Sequence, residues 1–151
     1  MVAPSIRRSR AQDLEAVRLL LSEAGLPTAD LSSAPGLRCW VLEAGVAVVG
    51  VIGLECSGNG GLVRSLTVAQ PYRAQGWGRE LLAALEREAC ALGIRQLVLL
   101  TETAEGFFAA RGYAAIDRCY VPGELKESEE FRSLCPASAI CMTKSLESSD
   151  G

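Results

Sequence analysis

Apolar positions along the chain switch between two periods. Asp13 to Ala24 carries Leu14, Val17, Leu21 and Ala24 on one helical face, and Gly25 with Pro27 stops it. Gly78 to Leu92 carries Leu81, Leu82, Leu85, Ala89 and Leu92 on one stripe, with Gly93 after it, and predicts the strongest helix. Between and after these, short runs rich in β-branched residues predict strands over Ser5–Ser9, Arg38–Glu43, Val46–Cys56, Leu62–Val68, Gln96–Thr101, Ala114–Val121 and Ala137–Lys144. Glu43-Ala44-Gly45 reads as a hairpin turn and Ser57 to Gly61 as a flexible turn. Ala104 to Arg111 predicts a short helix ended by Gly112, and the polar stretch Gly123 to Ser133 is compatible with another. Leu26 to Gly36 reads as a loop or a broken short helix and Ser145 to Gly151 as a frayed tail. The mixture predicts an α/β (α+β) sandwich built on one sheet.

The 151 residues show no internal repeat and no dividing linker, so a single domain over 1–151 with its core at about 5–144 is expected. A chain of this length buries roughly 70% of its unfolded surface and needs no staple. Net charge is −3 without a basic block, which disfavours nucleic acid as partner. Charge in the first ten residues argues against a signal peptide. The longest apolar run, Val46 to Leu54, is too short for a membrane span. A cytoplasmic protein is expected. With no histidine and no Cys-x-x-Cys spacing among six cysteines, no metal site is expected; the cysteines read as reduced and mostly buried.

The candidate chemistry begins at Leu66-Thr67-Val68, where a strand runs through Pro71 into Arg73-Ala74-Gln75-Gly76-Trp77-Gly78-Arg79 and the strongest helix. Free N–H groups at such a helix start bind anions, and Arg73 and Arg79 add positive charge. The dinucleotide fingerprint lacks its third glycine here, and no Gly-Lys-Ser/Thr makes a Walker loop.

This run resembles the shared motif of the GCN5-related N-acetyltransferase (GNAT) superfamily, with Leu66, Val68, Pro71, Arg73, Gly76 and Gly78 in register. Gly112-Tyr113 is similar to the family's later Gly-Phe/Tyr. The resemblance implies a mixed, mostly antiparallel sheet with helices on both faces, and acetyl-CoA as co-substrate. It implies that the N–H groups of Gln75 to Arg79, with Trp77 among them, hold the pyrophosphate and that the Leu66–Val68 backbone pairs with the pantetheine arm. Gly76 and Gly78 are then required because a Cβ would keep the backbone from the phosphate. The family's usual acid, a tyrosine five residues before Tyr113, is replaced by Phe108, which is left as a wall for the CoA arm.

A narrower resemblance lies in Gly53-Leu54-Glu55, Val63-Arg64-Ser65-Leu66, Leu99 to Phe108 and Ser133 to Ala139. These strings are similar to the arsenic-resistance-associated N-acetyltransferase branch. That likeness implies a small-molecule amine acceptor, in the extreme an amino-acid-like arsenical or phosphinate of the arsinothricin or phosphinothricin type.

An amine at neutral pH must lose a proton before it attacks a thioester, so a base is needed. Without histidine, Glu55 at a strand end is the candidate, and the apolar residues before it predict partial burial. Arg64, placed by period two on the face of Leu66, either binds an acceptor carboxylate or pairs with Glu55. Ser65, on the other face, orients a water or touches the acyl group, or merely fills space. Cys135 reads as structural rather than acyl-carrying. Phe131 and Glu127 to Glu130 form a candidate acceptor-side flap. The class-level alternative is a non-catalytic acyl-CoA or arsenical sensor. A homodimer through the last strand is compatible with the resemblance.

Overall fold

The computed structural model describes residues 3–26, 28–29, 31, 36–121, 125 and 138–146. Seven strands form one sheet: β1 (Ser5–Arg8), β2 (Leu37–Ala44), β3 (Ala47–Ser57), β4 (Gly60–Val68), β5 (Gln96–Thr101), β6 (Ala114–Ala115) and β7 (Ile140–Ser145). Their spatial order is β1-β2-β3-β4-β5-β7-β6. Every neighbouring pair is antiparallel except β4–β5, where the chain crosses over through a helix and returns parallel.

The helices α1 (Leu14–Glu23) and α2 (Trp77–Ala91) cover opposite faces. Val17 and Leu21 of α1 pack on Val41 and Val51. Leu81, Leu82, Leu85 and Ala89 of α2 pack on Trp40, Leu42, Ile52, Leu54 and Val63. The alternation Val51, Ile52 and Leu54 along β3 therefore serves two cores, as a strand buried on both sides requires. A short helix, α3 (Glu105–Ala109), follows β5 and adds Phe108 to the α2 side.

Two expectations shift. The stretch Ser57 to Gly61 is less turn than strand, because β4 already starts at Gly60. Gly61 is there for closeness: a Cβ on it would meet Leu54 Cδ1 at 2.7 Å and Leu97 Cδ2 at 3.1 Å. The strand expected over Ala114–Val121 shrinks to β6, since Asp117 begins a turn whose carbonyl accepts the Tyr120 N–H at 3.0 Å. The segment 122–124 and residues 126–137, with Phe131, Cys135 and the Glu127–Glu130 flap, lie outside the described residues. Among the described residues no helix is long and apolar enough to cross a membrane.

Candidate active site

The β4–β5 ladder runs from Gly60↔Gln96 to Val63↔Leu99 and ends there. β4 continues to Val68, still held by β3 through Thr67↔Val51 and Val68↔Gly50. β5 continues to Thr101, held by β7. The two central strands thus part company in mid-sheet, and the backbone of Leu66 to Val68 borders the gap.

A bulge shapes this edge. Val51 faces Thr67 and Gly53 faces Arg64, so Ile52 alone stands opposite both Ser65 and Leu66. Ser65 takes φ +63°, a left-handed conformation that a non-glycine residue adopts at a cost of about 1–2 kcal/mol. The extra residue breaks period two. Leu66 packs with the α2-side core, whereas Arg64, opposite Gly53, lies on the α1 side. The expectation that Arg64 and Leu66 share a face is thereby corrected.

Three polar groups meet beside the bulge. Arg64 Nη1 donates to Glu55 Oε1 at 3.2 Å, and Arg64 Nε donates to Ser65 Oγ at 3.1 Å. All three residues are buried. Gly53 makes room for the guanidinium stem, since a Cβ there would meet Arg64 Cγ at 3.3 Å. Of the two alternatives for Arg64, pairing with Glu55 is what the folded chain displays. An acceptor carboxylate would join an arrangement already built.

Beyond Val68 the chain turns through Gln70–Tyr72 into α2. Arg73 Nε donates to the Val68 carbonyl at 2.7 Å and ties the turn to the strand end. Ala74 at φ +62° and Gly76 at φ +89° curl the backbone so that α2 begins at once. The first N–H groups of the helix lack intrahelical partners by construction, and no side chain caps them. Gln75 Nε2 is turned back to the Pro71 carbonyl. Arg79 is exposed and only loosely near Glu80, at 3.9 Å. A Cβ on Gly78 would lie 3.6 Å from Phe107 Cζ, an ordinary contact. The fold therefore does not itself require glycine at position 78.

Phe108, expected as a wall for the CoA arm, is buried on the α2 side, in edge contact with Phe107 at 5.1 Å and Tyr113 at 5.5 Å between centroids. Phe107 is the ring that lies against the α2 turn, and Arg111 stacks on it with its Cζ 3.9 Å from the centroid. The i, i+4 spacing of an aromatic and a cation was the sequence signal for this pair. Tyr113 donates to Glu86 Oε2 at 2.8 Å, and Lys144 Nζ reaches the same oxygen at 3.1 Å and the Arg111 carbonyl at 3.0 Å. This network joins α2, β7 and the turn after α3, and sequence pattern gave no sign of it.

A profile of the acetyltransferase (GNAT) domain matches residues 35–115. The chain belongs to this family. The match spans β2 to β6 and so includes the parted strands, the bulge and the α2 turn. Mouse N-alpha-acetyltransferase 80 is 44% identical over 52 residues, which cover 34% of this chain and 17% of that protein's length. An acetyltransferase of the GNAT family from Staphylococcus aureus shares the fold with TM-score 0.80 at 16% identity, over 96% of this chain and all of the other. N-acetylglutamate synthase from Neisseria gonorrhoeae, solved with coenzyme A and N-acetyl-glutamate, superimposes with TM-score 0.80 at 20% identity, over 97% of this chain and 36% of the synthase. Within the GNAT chain, no group of three or more His, Cys, Asp or Glu side chains stands together among the described residues.

Proposed function

We propose that this GNAT chain is an acetyl-CoA-dependent N-acetyltransferase that acetylates the amine of a small molecule. The observation that carries the reading is the parting of β4 and β5 beyond Val63 and Leu99, directly before the α2 turn. An extended pantetheine arm fits there as an added strand on Leu66, Thr67 and Val68. Gly78, free of any packing reason to be glycine, fits a turn whose backbone must approach a pyrophosphate. Arg73, Gln75, Gly76, Trp77 and Arg79 complete that cradle, Arg73 by fixing the loop to the strand.

Acetyl-CoA, when bound, supplies a thioester carbonyl for the amine to attack. Glu55 accepts the proton that the ammonium must lose first. Arg64 holds the Glu55 carboxylate in place and links it to Ser65 beside the strand edge. Phe108 offers no hydroxyl, so the proton for the departing thiolate comes from water or Ser65.

The acceptor we favour is amino-acid-like, in the manner of arsinothricin or phosphinothricin. Support comes from the Gly53–Glu55, Val63–Leu66 and Leu99–Phe108 strings and from a fold neighbour solved with N-acetyl-glutamate. A cytoplasmic setting agrees with the free thiols. The missing hydroxyl at Phe108 favours one rival, a sensor that binds acyl-CoA without turnover. Measuring free CoA release with acetyl-CoA and a panel of amines separates them. Release that depends on a glutamate-like amine supports the enzyme; tight acetyl-CoA binding with no release above hydrolysis for any amine supports the sensor.

A further inference from the structure

The outer side of α1 carries a pattern that its own core does not use. Gln12, in the turn leading into the helix, and Ala16, Leu19 and Glu23 on it are all exposed. Their spacing puts them on one stripe. The stripe is one wall of an open groove of about 830 Å³, and the start of the β2–β3 hairpin, with Val46 and Ala47, is the other. Leu19 is 62% exposed. Val46 is fully exposed at the tip of the hairpin. Gly45 at φ +63° takes the first place of the two-residue turn between Ala44 and Ala47, which leaves Val46 the second. Turns of this kind favour small polar residues, whose side chains bond the backbone or water. Single exposed apolar residues are ordinary, but here two of them line one groove.

The stripe complements itself when laid antiparallel to a copy. The pairs 12 with 23 and 16 with 19 share one midpoint, so both form at once, and each forms twice. Ala16 of one copy then faces Leu19 of the other, small against large, and Gln12 faces the Glu23 carboxylate. Arg10, exposed just ahead of the helix and lining the same groove, comes beside Glu23 of the other copy. Such a contact is isologous, as a two-fold dimer requires. Ala16 permits the axis separation of about 8–10 Å at which helices pack.

We propose that this face is a self-association surface, on which two copies of the chain pair antiparallel through α1 with the β2–β3 hairpins flanking the contact. A stable interface hides about 800 Å² on each partner, more than a ten-residue helix supplies, so the hairpin shares in it. The surface is distinct from the last strand, since β7 lies toward the opposite edge of the sheet.

Sedimentation equilibrium of the full chain over a concentration series tests it. The wild type is expected to dimerise with a dissociation constant below about 100 μM. Leu19→Glu is expected to weaken the dimer at least about tenfold, because one central contact is lost twice. Val46→Asp is expected to weaken it too. Glu23→Arg sets like charges beside Arg10 of the other copy and is expected to weaken the dimer about tenfold. Adding Arg10→Glu to Glu23→Arg is expected to restore it, a rescue that only a meeting of opposite helix ends produces. A wild type that stays monomeric up to about 1 mM overturns the proposal and leaves the groove to another occupant. A dimer unmoved by Leu19→Glu and Val46→Asp overturns it as well and places the contact elsewhere, at β7 for one. Weakening by Glu23→Arg without recovery in the double variant overturns the antiparallel pairing. Circular dichroism checks that each variant is folded, and if Leu19→Glu is not, the charge-reversed pair decides.

Discussion

Arg64 Nη1 meets Glu55 Oε1 at 3.2 Å in a pair whose guanidinium has no exposed surface. Two charges taken out of water attract each other there, and Arg64→Met strips a buried carboxylate of this partner. Arg64→Met is therefore expected to cost about 3–5 kcal/mol in chemical denaturation. Glu55→Gln keeps an acceptor for Arg64 and is expected to cost less. If Glu55 is the base, the same Glu55→Gln protein loses turnover by roughly 10²–10⁴-fold while still binding acetyl-CoA. Unchanged turnover and an unchanged pH–rate profile assign Glu55 to structure alone.

Gly76 and Gly78 are expected to respond in opposite ways to alanine. Gly76 stands at φ +89° with Arg79 Nη2 3.3 Å from the Cβ site. Gly76→Ala is expected to lose about 1–2 kcal/mol of stability. Gly78 lies inside the first turn of α2 with only ordinary contacts around a new methyl. Gly78→Ala is expected to hold or gain stability, by up to about 1 kcal/mol, from helix propensity. Its CoA affinity is expected to fall on the order of tenfold, about 1.4 kcal/mol. A Gly78→Ala protein that melts higher and binds CoA as before rules out close backbone approach at this turn.

Asp13 links the start of α1 to the sheet edge. Arg7 donates to it at 2.8 and 3.1 Å, and the Arg10 N–H at 2.7 Å. The Arg7 hydrogen bonds, against the opposing pull of burial, hold its carboxyl down at about 2 from an ordinary 3.8. The folded state thus favours the charged form. Its stabilisation is complete above pH 3.8 and disappears as pH falls through 2. Asp13→Asn is expected to be less stable than wild type at pH 7, with the gap closing between those two values. Thermal melts of both proteins across that acid range check it; a gap independent of pH contradicts the ion pair as its source.

The cysteines are expected to react in order of access. Burial pushes the Cys39 thiol up to about 11 despite the nearby Arg64 and Arg8, and raises Cys56 and Cys141 as well. Cys90 is exposed on α2. Alkylation at pH 8 with peptide mapping is expected to label Cys90 well before Cys39 and Cys141 in the native chain. Comparable labelling of Cys39 and Cys90 contradicts the burial.

Local pattern alone determined much of this protein. Two amphipathic stripes specified α1 and α2 because a 3.6-residue period has one solution for burying Leu14, Val17 and Leu21, or Leu81, Leu82 and Leu85. The run from Leu66 to Arg79 specified a strand, a turn and an anion-seeking helix start because glycine and proline restrict the backbone directly. The mixed sheet with helices on both faces followed from the family resemblance those residues carry.

What only the tertiary structure decided depends on partners distant in sequence. The bulge at Ser65 arises where β3 and β4 must stay in register around Ile52, and no period within β4 announces it. It turned Leu66 away from the face that Arg64 shares with Glu55. Gly61, read as loose, is glycine because Leu54 and Leu97 converge on it. That Phe108 is buried against Tyr113, and that Phe107 with Arg111 lies against the α2 turn, is decided by packing. A sequence fixes which side chains are available and the local backbone they prefer. Which of them meet is decided when strands pair and faces are buried, since that is where charges must find partners and volumes must fit.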